Sequence, residues 1–238
     1  MSMVTIRSFL VLGCCLVLSF LIFGFQIGRA VKRGREFDRY LTVRGLSERE
    51  VKATLAIWPI RFAVAAEDLE RLKEAMEADR AQVISFLQEN GVETEEITQG
   101  LPSVNDREDE KIQSDRPGLP RYRGTGTLVV RSPNVDVVKT AIQNADALLQ
   151  RGVTLVNPEY GEKPQFTFEG INQTKPDMIR EATASARAAA QKFAADSQSK
   201  VGRIRKAIQG VLEIEDRDPA SPEWKILRIV TTVDFFLE

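Results

Sequence analysis

Histidine is absent from the 238-residue sequence, and the only cysteines are Cys14 and Cys15. Without histidine there is no Ser-His-Asp or Cys-His catalytic arrangement, no histidine general base, and almost no route to a transition-metal site. Both cysteines lie inside one apolar run, so the rest of the chain offers no thiol nucleophile or disulfide. We therefore predict that the protein is not an enzyme and has no catalytic residues, no cofactor and no bound metal.

Neither basic nor acidic residues are in clear excess. The 33 basic and 34 acidic residues give a net charge of −1, so we predict no nucleic-acid partner. The apolar content of 43% and the charged content of 28% are typical of a globular protein. The roughly 200 residues after the first forty suffice for one large domain or two small ones.

The longest apolar run, residues 9–27, carries no charge. As an α-helix it would be about 28 Å long, close to the roughly 30 Å hydrocarbon core of a bilayer. A cleaved signal peptide would have a shorter apolar region and an A-x-A-like exit, and a lipoprotein signal ending at Cys14 would leave too short an apolar stretch after Arg7. We favour an uncleaved transmembrane helix over these two alternatives. Its membrane-anchor residues are Phe9, Leu10, Leu12, Leu16, Leu18, Phe20, Leu21, Ile22, Phe23, Phe25 and Ile27.

This anchor divides the chain into a tail (1–8), a transmembrane helix (9–28), a basic linker (29–38) and an α+β domain (39–238). The side of the membrane on which the domain lies follows less directly from the sequence. The positive-inside rule places the domain in the cytoplasm, because the flank at 29–39 is much more basic than the N-terminal end. The basic residues of that flank are Arg29, Lys32, Arg33, Arg35 and Arg39.

Beyond the linker, predicted strands come in neighbouring pairs, which indicates an α+β fold of antiparallel sheets with three packed helices. The predicted strands are 37–46, 50–65, 95–104, 121–131, 153–158, 165–171, 202–213 and 224–237. The predicted helices are 68–90, 134–151 and 174–199.

Four local features carry specific expectations. Gly45 closes the first strand, and Trp58-Pro59 marks a bulge or an edge position in the second. Gly124-Thr125-Gly126 is interpreted as strand, because no helix or Gly-Lys-Ser/Thr follows as in a phosphate loop. The alanine-rich stretch 182–195 is predicted to be a packing face of its helix, with an oligomer contact as the functional alternative.

Two further function classes stay open on weaker signals. A carboxylate-based hydrolase would use a pair such as Glu48 and Glu50, or Glu159 and Glu162, although solvated surface charge is the simpler interpretation. A small-molecule or peptide binder would use exposed Trp58 and Trp224, which we otherwise expect in the core or an interface.

Three stretches resemble the SIMPL-domain (DUF541) family. They are Tyr40–Gly45 followed by Glu48–Phe62, then Leu128–Arg131 followed by a helix, and the alanine-rich helix with Val201-Gly202 and a closing strand. The resemblance covers residues 40–238. It implies a bacterial envelope protein with a signal peptide or single anchor, no established catalytic residues, and in parts of the family ring-like assembly and stress tolerance.

Taken with this resemblance, the sequence predicts a single-pass protein of the bacterial inner membrane with its domain in the periplasm, against the cytoplasmic alternative from the basic flank. We expect the lipid bilayer and further copies of the chain as partners, with no protein partner identified. The predicted role is structural, interaction-related or stress-related.

Overall fold

The computed structural model describes residues 19–27, 39–107, 119–156 and 163–238. It has an α+β fold with antiparallel sheets, as predicted. The strands are β1 (Tyr40–Lys52), β2 (Leu55–Ala66), β3 (Ile97–Gln99), β4 (Ser103–Asp106), β5 (Tyr122–Ser132), β6 (Gln165–Thr167), β7 (Val201–Asp216) and β8 (Trp224–Leu237). The helices are α1 (19–27), α2 (Leu69–Glu89), α3 (Val135–Gln143), α4 (Asp146–Gln150) and α5 (Ile171–Asp196).

The chain divides into two compact units, and the division falls within β1, α5, β7 and β8. The first unit comprises residues up to Glu48, Lys175–Glu213 and Arg228–Glu238, and the second comprises Arg49–Thr174 and Ile214–Leu227.

The second unit is built on a sheet of order β3-β5-β2-β6, with β4 also paired to β5. The register of β2 with β5 runs unbroken from Ala56↔Ser132 to Ala66↔Tyr122. Helix α2 packs on this sheet and is capped at its N-terminus by Asp68, whose carboxylate accepts a hydrogen bond of 2.8 Å from the backbone N–H of Arg71. The core buries apolar residues of β2, β5, α2 and α3: Trp58, Ile60, Phe62, Val83, Phe86, Leu87, Leu128, Val130, Val138 and Ala141.

In the three-stranded sheet β8 is central, with β1 on one side and β7 on the other. Strands β7 and β8 are antiparallel, since Lys200 and Glu238 exchange backbone N–H···O bonds of 2.8 and 2.9 Å. The core of the first unit combines the sheet with one face of α5, and it buries Val43, Ala186, Ala190, Val233 and Phe235.

The prediction that Gly45 closes the first strand is wrong. Strand β1 continues through Gly45 to Lys52. A Cβ atom on residue 45 would lie 1.8 Å from the carbonyl oxygen of Ala182 and 2.5 Å from the amide nitrogen of Ala186. Glycine is therefore required there by the close approach of the α5 backbone and not by a turn.

The predicted bulge at Trp58-Pro59 is also wrong, because Pro59 pairs with Val129 within the unbroken register. The alternative, an edge position, does not describe β2 as a whole, because β2 lies between β5 and β6 in the sheet. Strand β6 pairs only with Leu55–Ile57, so at Pro59 the partner strand lies on the β5 side alone. A proline is tolerated at such a position, where one side of the strand forms no ladder.

The single helix predicted at 134–151 is divided into α3 and α4, so four helices rather than three follow β1 in the described residues. The break falls at Asn144, whose side-chain amide donates a hydrogen bond of 2.9 Å to the side-chain oxygen of Asn90. The last helix starts at Ile171, earlier than predicted. Thr174 therefore lies inside the helix, and its hydroxyl donates a hydrogen bond of 3.0 Å to the carbonyl of Gly170.

Other predictions are confirmed. Helix α2 and strand β8 have nearly the predicted bounds, and Gly124-Thr125-Gly126 lies inside β5 as strand.

The stretch predicted as one strand at 95–104 is instead a 3-10 turn followed by the two short strands β3 and β4. Of the strand predicted at 153–158, Leu155 forms an isolated bridge to Phe62, and the last two residues lie outside the described part.

Candidate interaction surfaces

Strand β7 is an edge strand without a buried residue. It lies at one end of the order β1-β8-β7, so its outer edge has no partner strand within the described part of the chain. All sixteen of its residues are exposed or half-buried. Its apolar side chains remain largely in contact with solvent, with exposed fractions of 42% for Ile204, 51% for Ile208 and 82% for Val211. A long edge strand that exposes apolar side chains is a template for pairing with another strand.

The polar residues of β7 are mostly charged. Over the described residues, its basic and acidic side chains from Arg203 to Glu215 form no ion pair within the chain. Arg205 stacks over the ring of Tyr40, with its guanidinium carbon 4.1 Å from the ring centroid. This surface was not predicted from the sequence, although the sorting of charge by sign along residues 203–215 is visible there.

The alanine-rich face of α5 is a packing face, as predicted. Ala182, Ala186, Ala190 and Ala194 recur every four residues and are buried. Their small side chains allow the helix backbone to approach β1 at Gly45. Since this face is covered within the protomer, the alternative of an oligomer contact does not apply to it.

A groove of about 430 Å³ lies in the second unit, beside the first three turns of α2. The helix side is formed by Leu69, Lys73, Met76 and Arg80, and the opposite side by the connection between β3 and β4. Gly126 lies in its floor, where the ring of Phe62 fills the space that a Cβ atom would need. Among the described residues Lys73 has no hydrogen bond or ion pair, so the groove combines apolar walls with one unpaired cation.

Ion pairs concentrate near the turn between β7 and β8. Lys225 pairs with Asp216, and Lys139 pairs with Glu223, whose side chain is only 5% exposed. Burial raises the pKa of the Glu223 carboxyl, but hydrogen bonds from Lys139 and from its own backbone N–H outweigh burial and lower the pKa below its usual value. The arrangement keeps a buried carboxylate ionised and stabilises the turn.

The carboxylates considered for a hydrolase are separate surface charges where the structure describes them. Glu48 accepts hydrogen bonds from Arg228, the closer at 3.0 Å, and Glu50 accepts one from Arg217. Glu159 and Glu162 lie outside the described residues.

The two tryptophans differ in exposure. Trp58 is buried in the core of the second unit, so the expectation of a core residue is confirmed and an exposed binding role is wrong. Trp224 is half-buried beneath the guanidinium of Arg217, 5.4 Å from the ring centroid.

The predicted membrane anchor is only partly described. Phe9, Leu10, Leu12, Leu16 and Leu18 lie outside the described residues, whereas the other anchor residues lie in α1. In the described ranges, no helix has both the length and the apolar character needed to cross a membrane. The predicted anchor residues that lie in α1 have exposed side chains: Phe20, Leu21, Ile22, Phe23, Phe25 and Ile27.

A family model described as SIMPL, a protein of unknown function (DUF541), matches residues 41–225, which are 185 of the 238 residues. The match spans nearly all of the region for which the sequence suggested this resemblance. Comparison with curated proteins gives no match.

Proposed function

The chain belongs to the SIMPL (DUF541) family of proteins of unknown function, and we propose that it is a non-catalytic interaction protein that self-associates. The observation that carries the proposal is the outer edge of β7, a strand of sixteen residues whose backbone groups on that edge have no partner strand among the described residues and whose apolar side chains are exposed. Edge strands of this length are usually covered, shortened or interrupted in monomeric proteins. A second copy of the chain would cover it.

We further propose that the uncharged run at 9–27 holds the protein in the bacterial inner membrane, with the domain in the periplasm. The length of the run supports the anchor, and the family resemblance favours the periplasmic side over the cytoplasmic side suggested by the basic flank at 29–39. C-terminal fusions to alkaline phosphatase and to a cytoplasmic fluorophore test the orientation. Activity of the phosphatase fusion is expected, and a signal from the cytoplasmic reporter alone would overturn this placement.

Light scattering of the full chain in detergent, at micromolar concentration, tests self-association. The wild type is expected to have a mass above that of one protomer, and Ile208→Lys is expected to lower that mass because a charge now lies on the edge strand. Leu149→Lys is a matched control, since Leu149 is comparably exposed, at 59%, but lies on a helix. A monomeric wild type would refute the proposal.

A second candidate function, binding of a small amphipathic molecule, is favoured by the groove beside α2. Its apolar walls and unpaired Lys73 would suit a compound with an apolar body and an acidic group. Isothermal titration with dodecanoate tests this function. Saturable binding that Met76→Lys abolishes is expected, and no binding at millimolar ligand would rule this class out.

A further inference from the structure

The charges on β7 are sorted by sign along the strand. Its first half is basic and its second half is acidic, and in the described part of the chain five of these side chains have no ion-pair partner. The five are Arg203, Arg205, Lys206, Glu213 and Glu215. Asp216, in contrast, is already paired with Lys225. Such a strand is self-complementary, because a second copy running in the opposite direction places basic residues against acidic ones.

Symmetry limits the registers in which two such strands can pair. In an antiparallel pair, hydrogen-bonded and non-hydrogen-bonded residue pairs alternate along the ladder. A two-fold axis makes the pair i↔j equivalent to the pair j↔i, so both must be of the same type. This requires i and j to differ by an even number, and one residue must therefore lie opposite its own copy.

When the two-fold axis passes through Gln209, more residues of opposite charge lie directly opposite each other than when it passes through residue 208 or 210. Arg205 then lies opposite Glu213, and Arg203 lies opposite Glu215, and symmetry makes each pair occur twice. Moving the axis to residue 208 or 210 leaves only one directly opposed pair of opposite charge. With the axis at Gln209, Ile208 also lies opposite Gly210, where no side chain competes for its space.

We propose that two copies of the chain join their sheets through β7, antiparallel, with Gln209 on the two-fold axis. This inference rests on the proposed function, self-association, and specifies its interface. Pairing of β7 with the outer edge of β1 is less favoured. On β1, Glu48 and Glu50 are already bound by Arg228 and Arg217, and the contact would be heterologous and would not close in a dimer.

Charge reversal in the full chain tests this register. One variant carries Arg203→Glu and Arg205→Glu, a second carries Glu213→Arg and Glu215→Arg, and a third carries all four changes. Each half-reversal places like charges opposite each other, so association is expected to weaken roughly tenfold or more. The combined variant restores opposite charges and is expected to associate nearly as well as the wild type.

Sedimentation at several protein concentrations and at two salt concentrations measures these affinities. Glu74→Arg and Lys192→Glu, which reverse exposed charges on helices, serve as controls that should leave association unchanged. Circular dichroism checks that each variant is folded. If the wild type associates and the half-reversals have no effect, or if the combined variant stays dissociated, the register is wrong while self-association stands. A monomeric wild type would refute both.

Discussion

Strands β7 and β8 are neighbours in one antiparallel hairpin, yet they differ completely in burial. Alternate residues of β8 are buried from Lys225 to Phe235, whereas no residue of β7 is buried. Both strands carry isoleucine and other apolar residues, but six of the sixteen residues of β7 are charged, against three of the fourteen of β8. The difference in burial shows that the core beneath α5 takes buried residues from β8, such as Val233 and Phe235, but none from β7, whose outer edge has no partner strand in the described part of the chain. Its apolar side chains and unpaired charges are available to another chain.

The largest expected contrast comes from truncating one large apolar residue on each strand. Phe235→Ala removes a fully buried ring from the core of the first unit and should lower the free energy of unfolding by about 4 kcal/mol. Ile208→Ala should change the stability of the protomer by less than about 0.5 kcal/mol. Urea unfolding at protein concentrations low enough to suppress association measures both. Equal losses would mean that β7 is as well packed as β8.

Replacing Gly45 probes the other outer strand of the same sheet. Gly45→Ala places a methyl group against backbone atoms of α5, which cannot rotate away as a side chain can. We expect a loss of about 3 kcal/mol in the free energy of unfolding. Gly152→Ala provides a contrast, since it meets no atom within 4 Å and only a positive φ opposes it. Urea unfolding measures the loss. If Gly45→Ala did not lower the free energy of unfolding, the α5 backbone could not approach Gly45 this closely.

The charges near the turn between β7 and β8 contrast with those along β7, because Lys139 and Glu223, and Lys225 and Asp216, form ion pairs within the protomer. Lys139→Met would leave the buried carboxylate of Glu223 without its cation and should destabilise the protein by about 2 kcal/mol. Lys192→Met, at an exposed position, should be nearly neutral. Thermal unfolding at pH 7 measures both changes.

The pH dependence of this pair follows from the lowered pKa of Glu223. A carboxyl with a lower pKa in the folded state stabilises the protein above its unfolded-state pKa, about 4.3. That contribution is lost as the pH falls from there through the folded-state pKa. The destabilisation caused by Lys139→Met should therefore shrink between about pH 5 and the folded-state pKa. A difference that is constant with pH would contradict the ionised state of Glu223.

The sequence predicted the fold class and most elements because their signals are local. Apolar spacing located α2, and strict alternation located β8. Gly45 was misinterpreted because its requirement comes from Ala182, 137 residues away in the chain, which no local pattern reveals. The break likewise falls at a residue, Asn144, whose side chain contacts Asn90, 54 residues away in the chain. The exposure of β7 was not predicted, although six of its sixteen residues are charged, because a strand pattern alone does not show which face of the sheet the helix covers.

A disulfide across the proposed two-fold axis tests the central claim most directly. In a chain with Cys14→Ala and Cys15→Ala, Gln209→Cys would place two cysteines opposite each other, about 4.5 to 5.5 Å apart between Cα atoms, within the range for a disulfide. Ala207→Cys, offset from its copy by four residues, would place them more than about 13 Å apart. After mild oxidation, a covalent dimer is predicted for Gln209→Cys but not for Ala207→Cys. No dimer at residue 209, or equal cross-linking at both positions, would contradict pairing of two chains through β7 about this axis.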